Sequence, residues 1–232
     1  GDDLQPGATL TGPAVIAERN ATTVVEPGWQ ASLTGFDHLN LIRVVPRTVK
    51  FAVGTSVDPV LLEVFNNLFM SVADQMGATL ANTAWSVNIK ERLDFSCAIF
   101  DAAGDLVANA PHVPVHLGSM SDAVKTVMRE TAATLQDGDA YMLNSPYNGG
   151  THLPDVTVIT PVFVDGKPAF WLGSRGHHAD IGGRTPGSSP PDSRHIDEEG
   201  ILIDTFPLVR AGVLDEGGTR ALLTSGPFPC RA

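Results

Sequence analysis

Between residues 155 and 175 the chain reads DVTVITPVFV, then Asp165-Gly166, then KPAFWLGSR. Two runs of β-branched and aromatic residues around an Asp-Gly pair specify a long hairpin, because that pair accepts the positive φ angles of a two-residue turn. Such a hairpin brings residues far apart in sequence, Asp155 and His177, to the same end of a sheet. A plain two-residue turn pairs Asp155 with Gly176 and sends the Asp155 and His177 side chains to opposite faces. A three-residue loop with a glycine bulge moves the ladder by one residue and puts both on one face. Pro154 and Gly176 disturb the ladder ends, and the shared face is the expected arrangement.

The hairpin matters because its ends run into GGTHLPD (149–155) and SRGHHADIGG (174–183). His152 and Asp155 are three apart, and the intervening Pro154 favours a turn over a continuing helix. With His177 delivered by the hairpin, two imidazoles and one carboxylate form a set that suits a divalent metal and leaves coordination positions open. Manganese, zinc and iron all fit such donors. His178 is a candidate ligand, supporting partner or general base, and Asp180 a candidate for orienting an imidazole. The alternative is that these histidines only hydrogen-bond loop backbone in a glycine-rich turn region. A second candidate wall is PHVPVHLGSM, where His112 and His116 either brace the next helix or act in the site. Pro114 excludes a regular helix there, so the pair is not expected to form a helical metal site. Glu91, Arg92 and Asp94 form a charge cluster that reads equally as a buried ion network or a site edge.

Composition excludes several functions. With 15 basic and 26 acidic residues the net charge is −11, which leaves no electrostatic footprint for nucleic acid or an anionic membrane. No run approaches the length of a membrane span, and the first residues carry no signal-peptide pattern. Two cysteines, Cys97 and Cys230, make no disulfide framework, and with the absent signal this points to the cytoplasm. No Walker-type phosphate loop and no dinucleotide fingerprint occurs.

The organisation expected is α+β: a β-rich mixed fold with two main helices, preceded by a small all-β segment. Residues 7–45 read as five short strands punctuated by Pro-Gly and Gly-Pro turns, and 46–57 as a linker. Asp58 caps a helix with Pro59 at its first position, running to about residue 81. Leu61, Val64, Phe65, Leu68, Phe69, Val72, Met76 and Leu80 recur at helical spacing and are expected to form a core face. Strands are expected at about 85–90, 95–101 and 105–109, and a second helix at about 120–135 with Asp122 in a capping-box position after Ser119. Tyr141-Met142-Leu143 reads as a further strand. Residues 183–200 read as a long loop, either a lid or simply exposed.

Taken together, KERLDFSCAIFD, PHVPVHLGSM, GGTHLPDVTVITPVF and SRGHHADIGGRTPGS resemble the hydantoinase B/oxoprolinase family. GPAVIAERNATTVVEPGW resembles the closing β segment of a hydantoinase A half. The resemblance therefore implies 1–45 as the end of an A-like half, 46–57 as a linker and 58–232 as the start of a B-like domain. It implies ATP-dependent opening of a lactam ring, that of 5-oxoproline to glutamate, with hydantoin opening or ketone carboxylation as alternatives. A structural or assembly module is the reading from a different class. The metal-binding carboxylase relatives match at His152, Asp155 and His177, with His178, Asp180 and His116 as catalytic candidates. ATP with Mg is expected to bind outside this segment, so the isolated piece is expected to be inactive. Expected partners are a small lactam substrate, the remainder of both halves and further copies in a homo-oligomer. Ser145 departs from the acidic residue common in the family at that position.

Overall fold

A computed structural model describes residues 4–19, 21–46, 58–111, 113–188 and 190–231. Two compact units divide the chain, Gly1–Ser56 and Val57–Ala232. The expected linker lies outside the described residues from position 47 onward, as does His112.

The first unit carries β1 (Thr9–Thr11), β2 (Ala14–Ala17), β3 (Thr22–Val25), β4 (Trp29–Leu33) and β5 (Leu39–Arg43), one for each expected strand. They form a three-stranded sheet, β1-β4-β5, and a β2-β3 hairpin. Val25, Ala31 and Ile16 make its small core.

The second unit begins with α1 (Pro59–Thr83), where Asp58 accepts hydrogen bonds from Val60 and Leu61 and Pro59 occupies the first turn. Then follow α2 (Val87–Lys90), β6 (Phe95–Asp101), β7 (Leu106–Asn109), α3 (Pro114–Gly118), α4 (Met120–Thr131), β8 (Ala140–Leu143), β9 (Asp155–Val164), β10 (Lys167–His177), β11 (Phe206–Arg210), β12 (Val213–Leu214) and α5 (Glu216–Leu223). The strands make one antiparallel sheet in the order β12-β11-β8-β9-β10-β6-β7. Phe100, Tyr141, Ile159 and Trp171 pack on one face against Met120, Ala123, Val124 and Val127 of α4. On the other face Met142 and Val156 pack against Leu153, Ile181, Ile201 and Ile203.

Three expectations are corrected. Residues 87–90 form the short helix α2 rather than a strand, and its Ile89 is buried against Phe95 and Cys97. The apolar alternation of Val87 and Ile89 cannot distinguish a strand from one helical turn over so short a span. Pro114 does not prevent helix at 114–118; it sits in the first turn of α3, where a missing N–H costs nothing. The stripe on α1 is only partly a core face. Phe69 meets Phe170, and Met76 and Leu80 pack against the core around Cys97. Leu61, Val64, Phe65 and Leu68, however, are each more than half exposed. The helix packs chiefly on β6 and β7; its 25 residues extend about 37 Å and the seven residues of β6 about 23 Å, so it extends beyond those two strands.

Candidate metal centre

The hairpin turn has positive φ at both Asp165 (51°) and Gly166 (74°), as a two-residue turn requires. Lys167 pairs with Val164 and Pro168 with Phe163, but Phe170 pairs with Val162, leaving Ala169 as the extra residue of a bulge. From there the ladder runs to His177 opposite Asp155. The expected shared face is therefore present, but its cause is a bulge inside β10 rather than a three-residue loop.

Asp155 is buried and stands at the centre of a cluster. His177 Nδ1 lies 2.8 Å from its Oδ1, while His152 Nδ1 lies 3.2 Å and His116 Nε2 3.3 Å from its Oδ2. The Thr151 hydroxyl also donates to Oδ2. Burial opposes ionisation of this carboxyl, but the hydrogen bonds from His116, His152, Thr151 and His177 outweigh it and hold its pKa far below the usual range. The hydrogen bond to Asp155 in turn raises the pKa of His152 against the effect of burial. His152, Asp155 and His177 each offer one ligand atom, all within 4.8 Å of one another. The His152 side chain is 51% exposed and that of Asp155 1%, so the group is anchored at the carboxylate and open at His152.

His116 is buried behind this group. Its Nδ1 lies 3.3 Å from Ser96 Oγ, and its Nε2 also lies 3.7 Å from Asp94. Of the charge cluster noted in the sequence, Asp94 therefore borders the site, while Glu91 and Arg92 are exposed.

The loop bearing Thr151 and His152 follows a glycine pair with no room for side chains. A Cβ on Gly149, which has φ +86°, would stand 2.2 Å from the Ala123 nitrogen, and one on Gly150 would stand 2.2 Å from the Asn144 oxygen. Asn144, fully buried, ties the same loop down by donating to the Leu153 and Ile201 carbonyls and accepting from Ile203 N. Ser145 is buried, and its carbonyl accepts from Gly150 N.

Two of the sequence candidates lie away from this group. Asp180 accepts from Arg231 Nε at 2.6 Å and Nη2 at 3.0 Å, and from Gly182 N. Its carboxylate thus fastens Arg231 rather than orienting an imidazole. His178 donates its backbone N–H to Pro154 O and lines a separate cavity of about 450 Å³ with Met142, Val156 and Ile203. Burial, then the neighbouring His177, lowers its pKa. The 183–200 loop is fastened rather than free: Ser188 is buried and bonded to Gly182 O, and Arg184 N to Glu198 O.

Sequence reasoning missed Thr151, Ser96 and Arg175. The last was readable from strand alternation, since Arg175 is two residues before His177 and therefore on its face. It is fully buried, and burial brings its pKa down to about 10 despite the charge of Asp155.

The model of the hydantoinase B/oxoprolinase family matches residues 58–229, and the chain belongs to that family. It is 50% identical over 223 residues to 5-oxoprolinase 1 of Arabidopsis thaliana, covering 96% of this chain and 18% of that protein. It is 46% identical to 5-oxoprolinase of Saccharomyces cerevisiae, covering 93% of this chain and 17% of the relative. The chain thus spans less than a fifth of the length of these relatives. The crystal structure of ATP-dependent caprolactamase from Pseudomonas jessenii matches with a TM-score of 0.67 at 32% identity, over 73% of this chain and 29% of that one. A nucleotide-free acetone carboxylase structure shares the fold, with a TM-score of 0.65 at 22% identity, over 71% of this chain and 22% of that one. No helix among the described residues is long and apolar enough to cross a membrane.

Proposed function

We propose that this chain is a segment of an ATP-dependent 5-oxoprolinase, which opens the lactam ring of 5-oxoproline to give glutamate. Within it, His152, Asp155 and His177 would hold a divalent metal. The observation that carries this reading is the convergence of two imidazoles on one buried, ionised carboxylate, with ligand atoms within 4.8 Å and an open approach at His152. A divalent cation there supplies Lewis-acid polarisation of a carbonyl or a water of lowered pKa. The chain's own residues hold Asp155 anionic, fix its rotamer through Thr151 and His116, and expose His152 toward solvent.

Residues 1–45 are assigned to the end of an A-like half, 46–57 to a linker and 58–232 to the start of the B-like domain. One relative's alignment over 96% of this chain supports their continuity in a single polypeptide. ATP and Mg bind elsewhere in the enzyme, which works in the cytoplasm as a homo-oligomer.

The test is elemental analysis of protein supplied with Mn, Zn or Fe, together with ATP-dependent glutamate release from 5-oxoproline by the complete enzyme. His152→Ala and His177→Ala should lose the metal and the activity while keeping the fold. Metal-free protein with activity indifferent to both changes would overturn the metal reading. Preference for a hydantoin, or for acetone with bicarbonate, would overturn the substrate.

A further inference from the structure

Arg175 is a fully buried cation whose hydrogen bonds go to neutral oxygens. Its Nε donates to Thr157 Oγ1 at 2.6 Å and its Nη2 to the Gly149 carbonyl at 2.6 Å. Its Nη1 donates to the His116 carbonyl at 2.8 Å and to Ser119 Oγ at 3.0 Å. Burying a guanidinium without a bonded carboxylate is expensive, and well-packed apolar residues commonly serve stability as well. The acceptors explain its presence by where they lie. Thr157 is two residues from Asp155 on β9, and Gly149 opens the turn that carries Thr151 and His152. The His116 carbonyl and Ser119 close α3, which carries the His116 imidazole, and Arg175 itself is two residues from His177. One rigid fork therefore joins the segments that carry Asp155, His152, His116 and His177, with a planar donor geometry that an ammonium cannot copy.

We infer that Arg175 is the positioning residue of the metal centre, setting where His152 and His116 stand relative to Asp155 and His177. This rests on the proposed metal-binding role of that cluster. Supporting groups of this kind commonly change metal affinity by about 10- to 100-fold.

The experiment is zinc and manganese affinity of the intact protein by chelator competition, with folding checked by circular dichroism, in wild type, Arg175→Lys and Thr157→Val. Arg175→Lys keeps the charge and loses the fork, and should weaken metal binding at least 10-fold. Thr157→Val, which removes one of the four acceptors, should give a smaller loss and stands as the measurement if Arg175→Lys does not fold. In metal-free Arg175→Lys, amide exchange at Gly150 should quicken at least 10-fold. Wild-type affinity in the folded variants, with only a lowered melting temperature, would make Arg175 merely structural and overturn the inference while leaving the metal reading intact. Absence of metal binding in the wild type would overturn both.

Discussion

His177 faces Asp155 across the hairpin because Ala169 is bulged out of β10, and the two side chains meet at 2.8 Å. Directly opposed residues of an antiparallel ladder share a face, so this pairing decides whether the cluster exists. The bulge absorbs the one residue by which the tight Asp165-Gly166 turn would otherwise misplace His177.

Deleting Ala169 should therefore leave the pairing of Asp155 with His177 intact, because the ladder beyond Phe170 keeps its partners. Affinity for the proposed metal is expected to stay within about 3-fold of wild type, a change below about 1 kcal/mol. A folded deletion variant that loses metal would show that the bulge's twist is itself required.

Asn144→Leu should destabilise the second unit by about 3 kcal/mol or more, since the Leu153 and Ile201 carbonyls and Ile203 N–H lose their buried partner together. Urea denaturation gives the difference. Near-wild-type stability would mean that the loops re-pair by themselves.

Asp139 is expected to contribute acid sensitivity away from the histidine cluster. Burial opposes its ionisation, but hydrogen bonds from Ala211 N, the Tyr141 hydroxyl and Gln136 N, with the charge of Arg210, hold its pKa down. A carboxyl with a lowered folded pKa contributes stability above its unfolded value of about 3.9 and loses it as pH falls through the folded value. Asp139→Asn should cost about 1–3 kcal/mol at neutral pH. The gap in urea midpoints should then narrow below about pH 4. A gap independent of pH would contradict this account.

The two thiols should differ in reactivity. Burial pushes the Cys97 thiol up to about 11, while Cys230 is only part-buried and its pKa is also raised, by burial and then by Asp180. In native protein at pH 8, a disulfide reagent should label Cys230 slowly and Cys97 only on unfolding, as peptide mass spectrometry would show. Equal labelling would imply that α1 opens from β6 in the native state.

Local chemistry made much of the framework legible. The five strands of the first unit, the Asp58-Pro59 start of α1, helix α4 and the long hairpin all follow from turn residues and hydrophobic period. The shared face of Asp155 and His177 is expected from a three-residue loop, whereas the bulge at Ala169 is what sets that register. Less legible was what depends on distant partners. The α1 stripe looks like a core face at every turn, but only the sheet's extent decides how much of it is covered. Asp180 looks like part of the histidine motif until Arg231, far along the chain, claims its carboxylate. His178 is adjacent to His177 yet lines a different cavity.

Turn chemistry and alternation alone therefore specify the hairpin, its metal-capable residue types and the glycine pair beside them. Contacts between distant segments supplied what surrounds Asp155: the approach of His116 from α3, the hydroxyl of Thr151 on its carboxylate and the four bonds of Arg175 nearby. The reason is physical. Alternation and turn geometry act over a few residues and are written in the local order of the chain. Burial, hydrogen-bond partners and the pKa of a carboxylate are set by atoms that only folding brings together.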